Sequence, residues 1–234
     1  MHNKLDVVIM AGGKGKRLMP LTTHTPKPLL KVGSKPIIEY NTDLLASFGI
    51  NHITITVNYL SEQIIAYFKE NNKYQIDFTY VKENKPLGTI GALKLIENFK
   101  NEHILIINAD LLTNVNLDEI FNTFLSKEGD ALMATIPYKV DIPHGIVETN
   151  AGYVTDLKEK PSYTYYSNAG IYIFKKEYLD FIPKNTFFNA TDLIEVLLSK
   201  DKKIINYPIL NYWLDIGKHE DFEKAQEDIK HIKL

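Results

Sequence analysis

Between Met10 and Leu30 the chain reads MAGGKGKRLMPLTTHTPKPLL, directly after an apolar run from Leu5 to Ile9. The run has the composition of a buried first strand, and the loop behind it has the composition of a polyanion site. Gly12, Gly13 and Gly15 have no Cβ, so the backbone can turn freely and aim its N–H groups at phosphate oxygens. Arg17 adds a planar fork of donors suited to phosphate, and Lys27 a point charge. Pro26 and Pro28 stiffen the backbone on either side of that lysine. A strand followed by such a loop predicts a nucleotide site on an α/β fold.

Two common nucleotide loops do not fit. The G-x-x-x-x-G-K-[ST] pattern of kinases and ATPases occurs nowhere in the stretch. The dinucleotide fingerprint G-x-G-x-x-G is met at Gly13 and Gly15 but fails at Leu18. Its ribose-binding acid is also missing, since the expected region reads Thr25-Pro26-Lys27-Pro28. A hydride-transfer enzyme is therefore disfavoured. The pattern G-G-x-G-x-R-L-x-P-L-T-x-x-x-P-K-P-L-L, met at every fixed position, resembles the signature of sugar-nucleotide pyrophosphorylases, or sugar-1-phosphate nucleotidyltransferases. The resemblance implies a Rossmann-like three-layer α/β sandwich with a mostly parallel mixed sheet. It also implies transfer of a nucleoside monophosphate from an NTP to a sugar 1-phosphate.

Composition is compatible with that reading. The chain has 234 residues, enough for one sizeable α/β domain with a well-buried core. Its formal net charge of −2 offers no global basic field for nucleic acid or an anionic membrane. Cysteine is absent, which excludes disulfides and thiol chemistry. The first apolar run is too short for a signal-peptide core and no stretch approaches a membrane span, so a cytoplasmic location is expected. A homo-oligomer stays open.

Along the chain, β-rich runs at Leu5–Met10, His52–Val57, Ile76–Val81 and Ile104–Asn108 alternate with helical patterns. Those patterns fall at Ile37–Phe48, Glu62–Lys69, Gly88–Phe99 and Leu117–Ser126, with Ser61 and Asn116 as expected N-caps. After Asp130 the rhythm changes to strand-like runs at Ala131–Tyr138, Gly145–Glu148, Tyr153–Leu157 and Ala169–Phe174, with few helices before a closing one at about 219–232. The expectation is a single domain over 1–234, with a nucleotide half to about residue 130. The remainder would form a sugar half and the closing helix.

Further motifs acquire roles through the resemblance. Asp110 ends the stretch Ile104-Leu105-Ile106-Ile107-Asn108-Ala109, and Asp215 follows Tyr212-Trp213-Leu214. Alone, an aspartate at a strand end is most often a cap or turn former. The resemblance implies that this pair holds Mg²⁺, which prefers hard oxygens at roughly 2.1 Å. It implies catalytic roles for Arg17, Lys27, Asp110 and Asp215. Nucleotide binding falls to Ala11, Gly12, Gly13, Gly15, Arg17, Lys27, Pro86, Gly88, Thr89 and Asp110, and sugar-phosphate binding to Gly145, Glu148, Glu159, Lys160 and Asn168. Gly88 would let backbone approach a flat base while Thr89 capped the next helix. Pro86-Leu87-Gly88-Thr89-Ile90-Gly91 resembles guanylyltransferases more than thymidylyltransferases, so GTP is the favoured nucleotide. Thymidylyl or uridylyl transfer, or a non-catalytic nucleotide-sugar-binding homologue, are the alternatives.

Overall fold

A computed structural model describes residues 4–232 and Leu234. Strand β1 (Leu5–Ala11) runs through the glycine loop to the short strands β2 (Lys31–Val32) and β3 (Lys35–Pro36) and to helix α1 (Ile37–Ser47). Strand β4 (His52–Val57), helix α2 (Ser61–Glu70) and strand β5 (Asp77–Lys82) follow, and a 3-10 turn at Gly91–Leu95 leads into β6 (His103–Asn108). Next come β7 (Leu111–Thr113), α3 (Leu117–Ser126) and β8 (Ala131–Asp141). A hairpin of β9 (Ile146–Asn150) and β10 (Tyr153–Lys158) precedes the long β11 (Ser162–Lys175). Helix α4 (Ala190–Leu198), strands β12 (Ile204–Pro208) and β13 (Trp213–Asp215), and helix α5 (His219–Asp228) complete the order.

Seven strands form one sheet in the order β12-β8-β11-β6-β1-β4-β5. Strand β11 alone runs antiparallel to its neighbours, β6 and β8. The other pairings are parallel. Successive side chains of a strand face opposite ways, so a sheet covered on both faces needs apolar residues at every position. Strand β6 shows this directly: Leu105 and Ile107 enter one core, Ile104 and Ile106 the other. The first core takes Ile38 and Leu45 of α1, Ile64 and Phe68 of α2, and Ile120, Phe121 and Phe124 of α3. The second takes Leu193 and Leu197 of α4 with Leu93, Tyr178 and Leu179. A third cluster joins Leu18, Leu30, Val32, Ile37, Tyr40, Leu112, Ile216 and Ala225 beneath the glycine loop. Each such buried aliphatic side chain contributes about 1.5–3 kcal/mol. Among the described residues no helix is long and apolar enough to cross a membrane.

Four expectations are corrected. Gly88–Phe99 does not form an α-helix. Gly88 sits at φ +78°, and the N–H groups of Ile90 and Gly91 both donate to Phe188 O, at 3.0 and 3.1 Å, so the backbone is tied to another loop. Ser61 is not an N-cap but the first helical residue, because Leu60 before it takes the left-handed conformation. The later half holds a helix that the strand-rich reading passed over, α4, started by a capping box between Asn189 and Asp192. The Asn116 cap is present, with Oδ1 accepting from Glu119 N at 3.0 Å. The closing helix is shorter than expected and ends at Asp228.

Asp130 ties the far end of the sheet together. Its carboxylate accepts from Tyr178 OH at 2.6 Å, Lys175 Nζ at 2.9 Å and Lys203 N at 2.9 Å. Burial pushes its pKa up, but the Tyr178 and Lys175 donors outweigh that and hold it well below the usual carboxylate range. Its stabilisation is therefore complete above the unfolded value of about 4 and fades as pH falls through the depressed folded one. Asp130→Asn should cost about 1–3 kcal/mol in urea unfolding at pH 7. The gap to wild type should narrow at pH 3, and an equal gap at both pH values would sink this account.

Candidate active site

Parallel strands present their carboxyl ends at one edge of the sheet, and β1 and β6 both end there. The loop after β1 turns at Gly15, whose φ of +61° opens a 3-10 turn from Lys16 to Leu18. Thr22 Oγ1 donates to Gly15 O at 3.0 Å, and a Cβ on Gly15 would lie 3.0 Å from Lys27 Cβ. Only glycine fits that close approach comfortably. Leu18, fully buried in the third core, anchors the loop.

Two carboxylates meet behind this loop. Asp110 follows β6, and Asn41 Nδ2 donates to the flanking carbonyls of Ala109 and Leu111 at 3.4 and 3.1 Å. Asp215 ends β13, which pairs antiparallel with β7 so that Asp215 lies opposite Leu111. Ile216 N completes the tie by donating to Asp110 O at 3.1 Å. Lys27, only 8% exposed, donates through Nζ to Asp110 Oδ2 and stands 3.9 Å from Asp215 Oδ1. Burial and then the Asp110 charge push the half-buried Asp215 carboxyl up to about 6, against the pull of Lys27 and Arg17. The exposed Arg17 packs its guanidinium over Gly217, where a Cβ would come within 3.1 Å of Nη2. Asn108 Oδ1, Asp110 Oδ1 and Asp215 Oδ1 are all shielded from solvent and have no hydrogen-bond partner among the described residues. Such oxygens, two of them on carboxylates that repel each other, suit a hard divalent cation.

Two cavities open beside the pair. One of about 360 Å³ is lined by Ala11, Gly12, Gly13, Lys27, Gly88 and Asp110 among others. Its neighbour, about 260 Å³, is lined by Asn168, Gly170, Tyr172, Trp213 and Asp215 among others. Thr89, Asn108 and Asn189 belong to both walls and form the ridge between them. A larger cavity of about 630 Å³ lies at the opposite end of β6, around His103 and Leu179. Its lysines are already engaged, Lys94 with Asp180, Lys175 with Asp130, and Lys176 with Phe99 O.

The family model for nucleotidyl transferases matches residues 6–232. The chain belongs to that family. It is 32% identical to a D-glycero-alpha-D-manno-heptose 1-phosphate guanylyltransferase of Aneurinibacillus thermoaerophilus, over 97% of this chain and 99% of that protein. It is 30% identical to a mannose-1-phosphate guanyltransferase of Pichia angusta, over 92% of this chain but 61% of the relative. A solved structure of HddC from Yersinia pseudotuberculosis, complexed with GMP-PN, superposes with a TM-score of 0.73 at 26% identity, covering 96% of this chain and 99% of that one. A Bacillus anthracis structure in complex with sucrose superposes with a TM-score of 0.79 at 24% identity, over 98% of this chain and 97% of that one, a likeness of fold.

Within this nucleotidyl transferase, Ala11, Gly12, Gly13, Lys27, Pro86, Gly88, Thr89 and Asp110 share the first cavity. Asn168 joins Asp215 in the second, its Nδ2 donating to Tyr172 OH at 2.5 Å and its Oδ1 accepting from Gly170 N at 3.0 Å. Thr89 does cap a helix, but α4 and not the one that follows it in sequence: its Oγ1 accepts from Ala190 N at 3.4 Å and donates to Asn189 Oδ1 at 3.0 Å. Gly145, Glu148, Glu159 and Lys160 are exposed around the β9–β10 hairpin and line neither cavity. Gly145 and Glu159 do adjoin, since a Cβ on Gly145 would lie 2.8 Å from Glu159 Oε2. Glu148 pairs with Lys158 at 2.5 Å.

Residues that sequence reasoning did not select include Glu83, Asn108, Phe187, Asn189 and Trp213, all on the cavity walls. Two had a signal: Asn-x-Asp at a strand end puts Asn108 and Asp110 on the same side, and Asn189-x-x-Asp192 spells a capping box. The glycines of the first cavity should separate cleanly. A Cβ on Gly88 would lie 2.7 Å from Phe188 O at positive φ, whereas none of the described residues comes within 4 Å of one on Gly13. Gly88→Ala is expected to lose about 1–3 kcal/mol in urea unfolding, and Gly13→Ala less than about 0.5. Equal losses would show that the Gly88–Phe188 contact is not what constrains the loop.

Proposed function

We propose that this chain transfers a nucleoside monophosphate, GMP by preference, from an NTP to a sugar 1-phosphate and releases pyrophosphate. The observation that carries the reading is the Asp110–Lys27–Asp215 cluster, set where two cavities meet and flanked by Arg17. One cavity suits a nucleotide and the other a sugar phosphate. The guanylyl preference is supported by relatives named guanylyltransferases and by the GMP-PN held in the HddC structure. A Synechocystis relative named UTP--glucose-1-phosphate uridylyltransferase, 28% identical, makes uridylyl transfer the competing outcome. The chain spans 61% and 65% of the lengths of the Pichia and Mycobacterium tuberculosis relatives, so the activity of any longer protein belongs to the same proposal.

In this reading an oxygen of the sugar phosphate attacks the α-phosphorus and the α–β bridging P–O bond breaks. The electron pair leaves on pyrophosphate. The nucleophile is already an anion, so no proton must be removed; the difficulty is bringing two anions together in line. Gly13 leaves room for phosphate against the loop backbone, and Arg17 neutralises the departing charge. Lys27, fixed by Asp110, offsets charge at the reacting phosphates. The shielded oxygens of Asp110 and Asp215, with that of Asn108 beside them, fit Mg²⁺. When bound there, Mg²⁺ supplies charge neutralisation to the crowded phosphates. Lys160 would position the sugar phosphate from the hairpin side.

The test is pyrophosphate release across a grid of nucleoside triphosphates and sugar 1-phosphates, with Mg²⁺ and with chelator. Release should need the metal and favour GTP. Asp110→Asn, Asp215→Asn and Arg17→Ala should each lower turnover about 10²–10³-fold. Near wild-type turnover in Asp110→Asn would refute the assignment.

A further inference from the structure

Helix α1 packs mostly apolar residues beneath the site. Ile38 and Leu45 enter the first core, and Ile37 and Tyr40 enter the third cluster. Asn41, one turn from Ile37, Ile38 and Leu45, shares their buried side and is 1% exposed. Its Nδ2 donates to Leu111 O at 3.1 Å and to Ala109 O and Ile37 O at 3.4 Å each. Carbonyls only accept, so the amide nitrogen and not Oδ1 must face them. Oδ1 is shielded from solvent and has no hydrogen-bond partner among the described residues. Asparagine is a poor helix former, and a buried acceptor without a donor is costly. Leucine has nearly the same branched shape and would avoid both costs. The stability of α1 therefore does not account for the amide.

What the amide gains is a hold on the turn between β6 and β7. Three successive carbonyls pass through that turn. Those of Ala109 and Leu111 go to Asn41, and that of Asp110 accepts from Ile216 N at 3.1 Å. Ala109 N donates to Met10 O at 3.1 Å. The residue inside this frame carries one of two carboxylates that repel each other, so the turn is under load whenever both are ionised. Lys27 offsets part of that charge, but it engages the side chain of Asp110 and leaves the backbone to other partners.

We infer that Asn41 is a positioning residue for Asp110, its amide clamping the carbonyls on either side so that the carboxylate stays beside that of Asp215. The inference rests on the reading proposed above, in which this pair fits Mg²⁺. Groups that orient a metal ligand typically change metal affinity or rate about 10- to 100-fold without touching substrate.

The experiment uses two variants. Asn41→Leu keeps the shape and removes the donor. Asn41→Ser has a hydroxyl that can still bond Ile37 O within the helix but is too short for the strand carbonyls. Thr42→Val is the control, since Thr42 is also buried in α1 but its Oγ1 donates to Glu39 O. At a temperature where circular dichroism shows each protein folded, turnover of the best NTP and sugar 1-phosphate pair is measured. Binding of Mn²⁺ alone to the substrate-free protein is followed by electron paramagnetic resonance. Both Asn41 variants should lower kcat about 10- to 100-fold, shift KM for either substrate less than about 3-fold, and weaken Mn²⁺ about 10-fold. Thr42→Val should stay near wild type in all three. Wild-type kcat and Mn²⁺ affinity in Asn41→Ser overturns the inference, as does a Thr42→Val loss equal to that of the Asn41 variants. If Asn41→Leu does not fold, Asn41→Ser decides alone; if neither folds while Thr42→Val does, Asn41 is merely structural and the inference fails. A wild type that releases no pyrophosphate yet binds Mn²⁺, with Asp110→Asn abolishing it, sinks the transferase reading while Mn²⁺ affinity still decides the role of Asn41. A wild type that binds no Mn²⁺ at millimolar concentration overturns the inference together with the metal reading.

Discussion

Two carboxylates held against each other by the backbone are the constraint around which this site is organised. Asp110 and Asp215 come from positions more than a hundred residues apart, yet the β7–β13 pairing and the Ile216–Asp110 backbone bond leave them no freedom to separate. Burial, and then the Asp110 charge beside it, raise the proton affinity of Asp215. The protein meets this with Lys27, itself buried and held between prolines, and with Arg17 across Gly217. The third hydrophobic cluster, from Leu18 to Ala225, fixes the loop and the carboxylate-bearing strand to the same floor. Polar strain at the site is thus offset by apolar packing directly beneath it.

Two cavities rather than one flank the pair. A ridge of neutral side chains, Thr89, Asn108 and Asn189, separates them. Thr89 and Asn189 hold each other, and Phe188 ties the loop at Gly88 to the loop before α4. In the proposed reading, a nucleotide and a sugar phosphate held on either side of this neutral ridge would approach at one controlled point. The large cavity at the other end of β6 has its cations already paired and lacks that arrangement.

Much of the architecture was legible in local pattern. Strands β1, β4 and β6 and helices α1, α2 and α3 follow from uninterrupted β-branched runs and from apolar spacing near 3.6, and they are found within a residue or so. The Gly88–Phe99 segment carries a helical pattern as well, but Gly88 is held at positive φ and the next residues are tied to Phe188 O, so only a 3-10 turn forms over Gly91–Leu95. Glu83 illustrates the complementary failure. Its neighbours in sequence are charged and polar, and nothing local reveals that Gly12 admits it to the interior.

The sequence by itself determined the glycine loop, its cations, the apolar strand that leads to Asp110, the apolar residues before Asp215, and hence the family. Those features are contiguous, and their chemistry is set by residue type and short spacing. Tertiary structure alone decided that Lys27 sits between the two aspartates, that Thr89 caps α4, that Glu83 faces the first cavity, and that Glu159 and Lys160 stay with the exposed hairpin. Each of those depends on loops from distant parts of the chain meeting at the carboxyl edge of the sheet. Strand order and register set such meetings, and no local pattern encodes them.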